Sequence, residues 1–230
     1  MMEKRIRKQA GGLRPDKYLS EWQQQCLLDY VVKKAAGGGH RAAANLMIVE
    51  MLMLTGLRAA ELCYLTMKDL PMRHGKPVVF VECGKGRKER TVEIPTELMR
   101  RIGEFAAAHR VGARAGSPMF VSERGGIMST QNLRAKLRLI GYAAGIGHLH
   151  PHKLRHTYGT NAYNITGDLL FLQDQMGHAD PRTTAIYART NDRRRRQHAE
   201  NIGTNLYDSL SKHTSALKSD CNVSNDKGLL

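Results

Sequence analysis

Acidic side chains are scarce: 21 Asp and Glu stand against 36 Lys and Arg, a formal charge of +15. That imbalance argues against a cationic partner and favours a polyanion, nucleic acid first, although charge alone leaves a purely solubilising role open. Cysteine is also scarce. Cys26, Cys63, Cys83 and Cys221 lie far apart with no CxxC pair, so neither a disulfide framework nor a thiolate metal site is indicated. Long apolar runs are missing. The longest, Leu46 to Leu54, is broken by Glu50 and falls far short of the ~20 residues a bilayer crossing needs. The N-terminal MMEKRIRKQAGGLRP has charge but no apolar segment after it, so no secretory signal and no membrane partner are expected, and the location expected is cytoplasmic. No acidic cluster points to a divalent ion, and neither metal nor other cofactor is expected.

What is present fits one domain with appended tails in 230 residues. Residues 1–17 read as a basic flexible arm, 18–212 as the folded domain, and 213–230 as a polar disordered tail. Ser20 and Gln23 make a capping box, and Trp22, Cys26, Leu27 and Tyr30 form an apolar stripe on the helix that follows. A second helix over 41–54 is apolar nearly all round, and Gly56 sits where a helix end wants a left-handed residue. A short third helix carries Leu62 and Leu65 inward. PVVFVEC (Pro77 to Cys83) and RTVEIP (Arg90 to Pro95) read as strands joined by a basic, glycine-bearing hairpin, with PMFVS (Pro118 to Ser122) as a third strand. Further helices are predicted over 96–109, 130–144, 151–163 and 168–176, then one opened by Asp180 and Pro181 that bears Tyr187. The fold class is therefore mainly α with a small antiparallel β-sheet. A last stretch, 192–210, is basic first and then amphipathic through Ile202, Leu206 and Leu210.

Three strings bear chemistry. GHADPRTTAIY (Gly177 to Tyr187) puts a phenol just after a glycine-histidine turn, PHKLRH (Pro151 to His156) supplies histidine and arginine within one helical turn, and TGLRAAEL (Thr55 to Leu62) supplies a second arginine. These are parts of a phosphate-attacking site: guanidinium offers paired donors and a permanent charge, which suits a pentacoordinate transition state. Each residue alone has a plainer reading, a salt bridge for an arginine or a packing role for a tyrosine or histidine, as expected of Tyr142, Tyr158 and Tyr163. HLHPH (His148 to His152) also admits a zinc reading, which the missing cysteine or carboxylate cluster weakens.

Taken together with CGKGRKERTVEIP, these motifs and their order resemble the tyrosine recombinases, also called phage integrases, and most closely their Xer-like bacterial branch. The similarity covers about 18–189, the family's catalytic domain. The resemblance implies site-specific cleavage and rejoining of duplex DNA through a 3′-phosphotyrosyl intermediate. Arg58 and Arg155 would bind the nonbridging oxygens, Tyr187 would attack phosphorus, and His178 would hydrogen-bond the phosphate. Lys85 would protonate the leaving 5′-oxygen, with Lys88 as its competitor. A phenol with a reference pKa of about 10 is roughly a thousandfold more protonated than ionised at pH 7, so it needs a proton acceptor, for which His152 is the candidate. Glu61, one turn beyond Arg58, is either a partner orienting that guanidinium or a plain helix-surface pair.

The resemblance also implies a tetramer on DNA, the 202–210 segment packing onto a neighbouring protomer or onto its own domain. The family's usual helical core-binding domain has no counterpart before Tyr18, so either a fragment or a minimal protein is expected. Its DNA binding should be weak and salt-sensitive, with an accessory protein helping site choice. Two rival activities share these residues: DNA relaxation of the type IB topoisomerase kind, and noncatalytic occupation of DNA sites.

Overall fold

A computed structural model describes residues 12–70, 75–82, 89–123 and 125–189. Eight helices run through those residues, α1 (Glu21–Ala36), α2 (His40–Thr55), α3 (Ala59–Tyr64), α4 (Thr96–His109), α5 (Thr130–Ala143), α6 (Pro151–Thr166), α7 (Leu169–Met176) and α8 (Pro181–Arg189), with strands β1 (Val78–Val81) and β2 (Arg90–Glu93). The mainly helical architecture with one small antiparallel sheet is the one the patterning predicts. None of these helices is long and apolar enough to cross a membrane.

Helix α2 is the axis of the core. Met47, Ile48, Val49, Met51 and Leu52 are all buried on it, and α1, α4 and α6 pack around it. It stops at Gly56 with φ 63°, where a Cβ would meet the Tyr158 ring at 2.3 Å, so both backbone and packing require glycine. That stop places Leu57 in the core and Arg58 at the extended N-cap of α3. Helix α1 starts on the expected box, Ser20 Oγ accepting from the Gln23 N–H at 3.2 Å and Gln23 Oε1 from the Ser20 N–H at 3.1 Å.

The expected stripe on α1 is wrong at Trp22, which is 65% exposed, whereas Leu27 and Val31 are buried. At about 100° per residue Trp22 lies roughly 140° from Leu27 and 180° from Val31, so the face that meets α2 turns it outward. Tyr142 is likewise 61% exposed, not packed, while Tyr158 is buried.

The sheet has only two strands among the described residues, paired Val78 with Glu93 through Val81 with Arg90. Val79 and Val92 face each other in the core. The expected third strand at 118–122 does not form. Pro118 has no N–H to give a ladder, Met119 and Met67 bond Leu65 and Ser117 instead, and the Ser122 N–H folds back to the Gly126 carbonyl. Met119 and Phe120 are nonetheless core residues, and pairing there stops at two isolated bridges, Thr66 with Pro118 and Val121 with Ile127.

Order begins before Tyr18: Pro15–Lys17 form a 3-10 turn against α6, Leu13 packs on a second apolar cluster, and the Leu19 N–H donates to Thr157 Oγ1 at 2.9 Å. That second cluster, Tyr158, Leu172, Met176 and Tyr187, joins α6, α7 and α8. Residues 1–11 of the predicted 1–17 arm, the hairpin tip with Lys85 and Lys88, the 192–210 amphipathic stretch and the 213–230 tail lie outside the described residues.

Candidate active site

Helix ends leave carbonyls without intrahelical partners, and the end of α7 supplies them to arginines. Three consecutive oxygens take three different guanidinium groups: Gln175 accepts from Arg90 Nε at 3.3 Å, Met176 from Arg155 Nη2 at 2.6 Å, and Gly177 from Arg58 Nη2 at 2.7 Å. A helix C-terminus favours cations, so this arrangement tolerates positive charges that would otherwise repel. Gly177 makes the close approach feasible, because its φ is 61° and a Cβ there would meet the Arg90 Cζ at 2.9 Å.

Arg58 and Arg155 thus converge on adjacent carbonyls, although 97 positions separate them in sequence, the difference of their numbers. Arg155 lies in the first half of α6 and is 5% exposed; its second fork nitrogen donates to the Gly56 carbonyl. Burial, followed by the nearby charge of Arg58, lowers its pKa to about 10, with Glu61 working the other way. It is still cationic at neutral pH. Each terminal nitrogen of the two forks gives one N–H to a carbonyl or to the Glu61 carboxylate and has a second N–H that an anion could take.

Glu61 is the counter-charge of this group and not a surface pair. Its carboxylate accepts from Arg58 Nη1 at 2.7 Å, the Arg58 backbone N–H at 2.8 Å, and both ends of the Arg90 fork at 2.8 and 2.9 Å. Burial works to raise its pKa, but the Arg90 and Arg58 hydrogen bonds prevail and hold it at about 2.

His178 follows the Gly177 turn, its Nδ1 paired with the buried Thr184 Oγ1 at 2.9 Å. Burial, then Arg155, Arg58 and Arg90, lower its pKa to about 4, so the ring is neutral at pH 7. Tyr187 on α8 is 2% exposed, and its ring lies flat on α6, where a Cβ on Gly159 would meet its Cζ at 2.5 Å. Burial raises the phenol pKa to about 12 against the pull of Arg155.

The imidazole at the phenol is His156, Nδ1 to Oη 3.0 Å, and not the expected His152, whose ring meets His156 edge-on with centroids 4.1 Å apart. Both lie one turn apart on one face of α6, so spacing could not tell which of them meets α8. Burial, His152 and Arg155 lower the His156 pKa to about 4. His150, one of the residues of the zinc reading, instead caps α6, its Nδ1 accepting from the Lys153 N–H at 3.2 Å. Sequence reasoning passed over His156, Arg90 and Thr184, although each lies inside one of the quoted motifs, PHKLRH, CGKGRKERTVEIP and GHADPRTTAIY. Lys85 cannot be placed, as it lies outside the described residues.

The buried imidazoles give a pH prediction. Their folded pKa values near 4 lie below the ordinary 6.5, so between those values the unfolded chain binds more protons than the folded one. Stability is therefore full above pH 6.5 and falls as the pH drops toward 4, by up to about 3 kcal/mol for His156. Thermal melts from pH 7 to pH 4 check this: Tm should fall steadily, and His156→Gln should flatten part of the slope. A pH-independent Tm would contradict neutral buried rings.

A mainly helical domain with a two-stranded hairpin, arginines gathered at a glycine-histidine turn and a tyrosine on the next helix have the fold of a tyrosine recombinase catalytic domain. The profile described as "Phage integrase family" matches residues 17–194, and the chain belongs to that family. It is 33% identical over 144 residues to tyrosine recombinase XerC of Actinobacillus pleuropneumoniae serotype 7, covering 62% of this chain and 46% of that protein. Tyrosine recombinase XerD of Vibrio vulnificus strain YJ016 is 36% identical over 155 residues, 65% of this chain and 50% of the relative. The crystal structure of XerA recombinase superposes with a TM-score of 0.67 at 31% identity, over 80% of this chain and 64% of that one. The chain spans about half the length of the curated relatives it matches.

Proposed function

We propose that this chain cleaves and rejoins duplex DNA as the catalytic part of a site-specific recombinase. The observation that carries this reading is the convergence of Arg58 and Arg155 on adjacent carbonyls, Met176 and Gly177, one helix away from a buried tyrosine paired to a neutral imidazole. Family membership and the names of the relatives support it, and the +15 charge suits a polyanionic substrate.

In this reading Arg58, Arg155 and His178 bind the nonbridging oxygens of the scissile phosphate and stabilise the charge that grows there. Tyr187 Oη forms a bond to phosphorus as the P–O5′ bond breaks; its proton passes to His156, with His152 next in line, and Lys85 protonates the departing 5′-oxygen. The phosphotyrosyl ester conserves the energy of the broken bond, so rejoining is attack by a 5′-hydroxyl and needs no ATP. Attack requires phosphorus within about 3–3.5 Å of Oη, and Tyr187 is 2% exposed. The α8 helix must therefore shift outward when DNA binds. Assembly into a tetramer on DNA, with an accessory protein aiding site choice, completes the proposal.

The test is incubation with a pool of nicked suicide duplexes randomised across the cleavage region, followed by denaturing electrophoresis and peptide mapping. A covalent adduct with nucleotide mass on the peptide bearing Tyr187 is expected, its yield falling steeply with added salt. No adduct at low salt, or one on another peptide, overturns the assignment.

A further inference from the structure

Arg90 has no part in the chemistry above, yet its side chain is bonded into the group that holds Arg58 and Arg155. It opens β2 opposite Val81, and its side chain is 13% exposed. Its fork closes on both oxygens of Glu61, at 2.8 and 2.9 Å, while Nε reaches the Gln175 carbonyl at 3.3 Å. The guanidinium passes directly beneath Gly177, whose carbonyl holds Arg58 and whose neighbour is His178. Glu61 is the shared element: the oxygen that takes Arg90 Nη1 also takes Arg58 Nη1, and the other takes Arg90 Nη2 and the Arg58 backbone N–H.

A carboxylate bonded to one arginine alone can swing with that side chain. Here the Arg90 fork, fixed in turn by the sheet and by the end of α7, holds both Glu61 oxygens in a plane, and Arg58 docks on what remains. Arg58 is the more exposed member, 31% against 9% for Glu61, so it depends most on a fixed partner. We propose that Arg90 is a positioning residue for the reaction: through Glu61 it sets the direction of the Arg58 guanidinium, and through the Gln175–Gly177 turn it sets the height of His178. Arg90 itself touches no substrate. Lysine cannot replace it fully, since one ammonium cannot close on both Glu61 oxygens and the Gln175 carbonyl together.

This inference rests on the recombinase reading. It predicts a defect in the cleavage step and not in DNA affinity. On the randomised suicide pool, Arg90→Met should slow adduct formation about 10- to 100-fold, the usual effect of losing a group that orients a binding side chain. Duplex affinity should change less than about 3-fold, and Arg90→Lys should recover part of the rate. Two readouts separate positioning from general weakening. Added to Arg58→Lys, Arg90→Met should cost no more than about 3-fold further, because the two act through one guanidinium. With a methylphosphonate at the scissile position, which offers no anionic oxygen pair, the Arg90→Met deficit should shrink to within about 3-fold. An additive double variant, an equal deficit on both substrates, or an unaltered rate would each overturn the proposal. If the parent protein forms no adduct, the recombinase reading fails on its own, and the side-chain NMR signal of Arg58 decides the positioning claim. A shifted or broadened Arg58 Nε–H in Arg90→Lys supports it, and an unchanged one sinks it.

Discussion

Tyr187→Phe should abolish covalent capture of DNA altogether while leaving the folded domain and its noncovalent grip on duplex nearly unchanged. The substitution removes one oxygen from a ring whose packing against Gly159, Tyr158, Leu172 and Met176 is untouched. The lost pair with His156 is worth about 1 kcal/mol net, or roughly 2–4 °C in Tm for a domain of this size. Chemistry is affected quite differently, because no other atom of the side chain can form a phosphoester. Gel retention within about 3-fold of the parent, with no adduct at any time point, is the expected pair of results. Adduct that persists would move the nucleophile elsewhere, and Tyr158 and Tyr163, the other phenols beside this cluster, would be examined first.

Loss of the Glu61 carboxylate should produce the largest fall in stability of any single change around the site. Glu61→Leu leaves the guanidiniums of Arg58 and Arg90 without their counter-charge, at 31% and 13% exposure, beside a third cation in Arg155. Stranding a buried charge in this way costs about 3–5 kcal/mol, a Tm drop on the order of 10 °C. The linked pH effect has a definite sign. The folded pKa of about 2 lies below the ordinary 4.5, so the carboxylate's contribution is complete above pH 4.5 and is lost as the pH falls toward 2, by about 3 kcal/mol in all. Urea unfolding midpoints between pH 5 and pH 2.5 check both statements: the parent should lose stability across that window and Glu61→Leu should lose less. Equal slopes for the two proteins would remove Glu61 as the carboxylate that balances the arginines. DNA cleavage should suffer as well, since Arg58 loses the oxygen that orients it.

Much of the fold is readable because it is written locally. The Ser20–Gln23 box and the glycine stop at Gly56 each depend on residues within one turn of one another, and each is found where the pattern puts it. Errors arise where one neighbour in space outweighs local preference. Trp22 belongs to an apolar stripe in the sequence and faces solvent in the fold, because α2 reaches only the Leu27–Val31 side of α1. The 118–122 segment has a strand's composition and a core role, but it meets only the 65–67 and 126–128 stretches, each through a single isolated bridge.

The residue types of the reactive group, and the motif order that marks the family, could be read off the chain before any coordinates, because guanidinium, imidazole and phenol chemistry belongs to the side chains themselves. Which imidazole meets the phenol could not, nor could the Arg90–Glu61–Arg58 chain or the three carbonyls at the end of α7. Those pairings span 31, 29 and up to 119 positions, distances over which no local rule acts. They exist because packing α7 between α6 and β2 brings charged groups into a confined space, where each must find a partner or leave a costly unpaired charge.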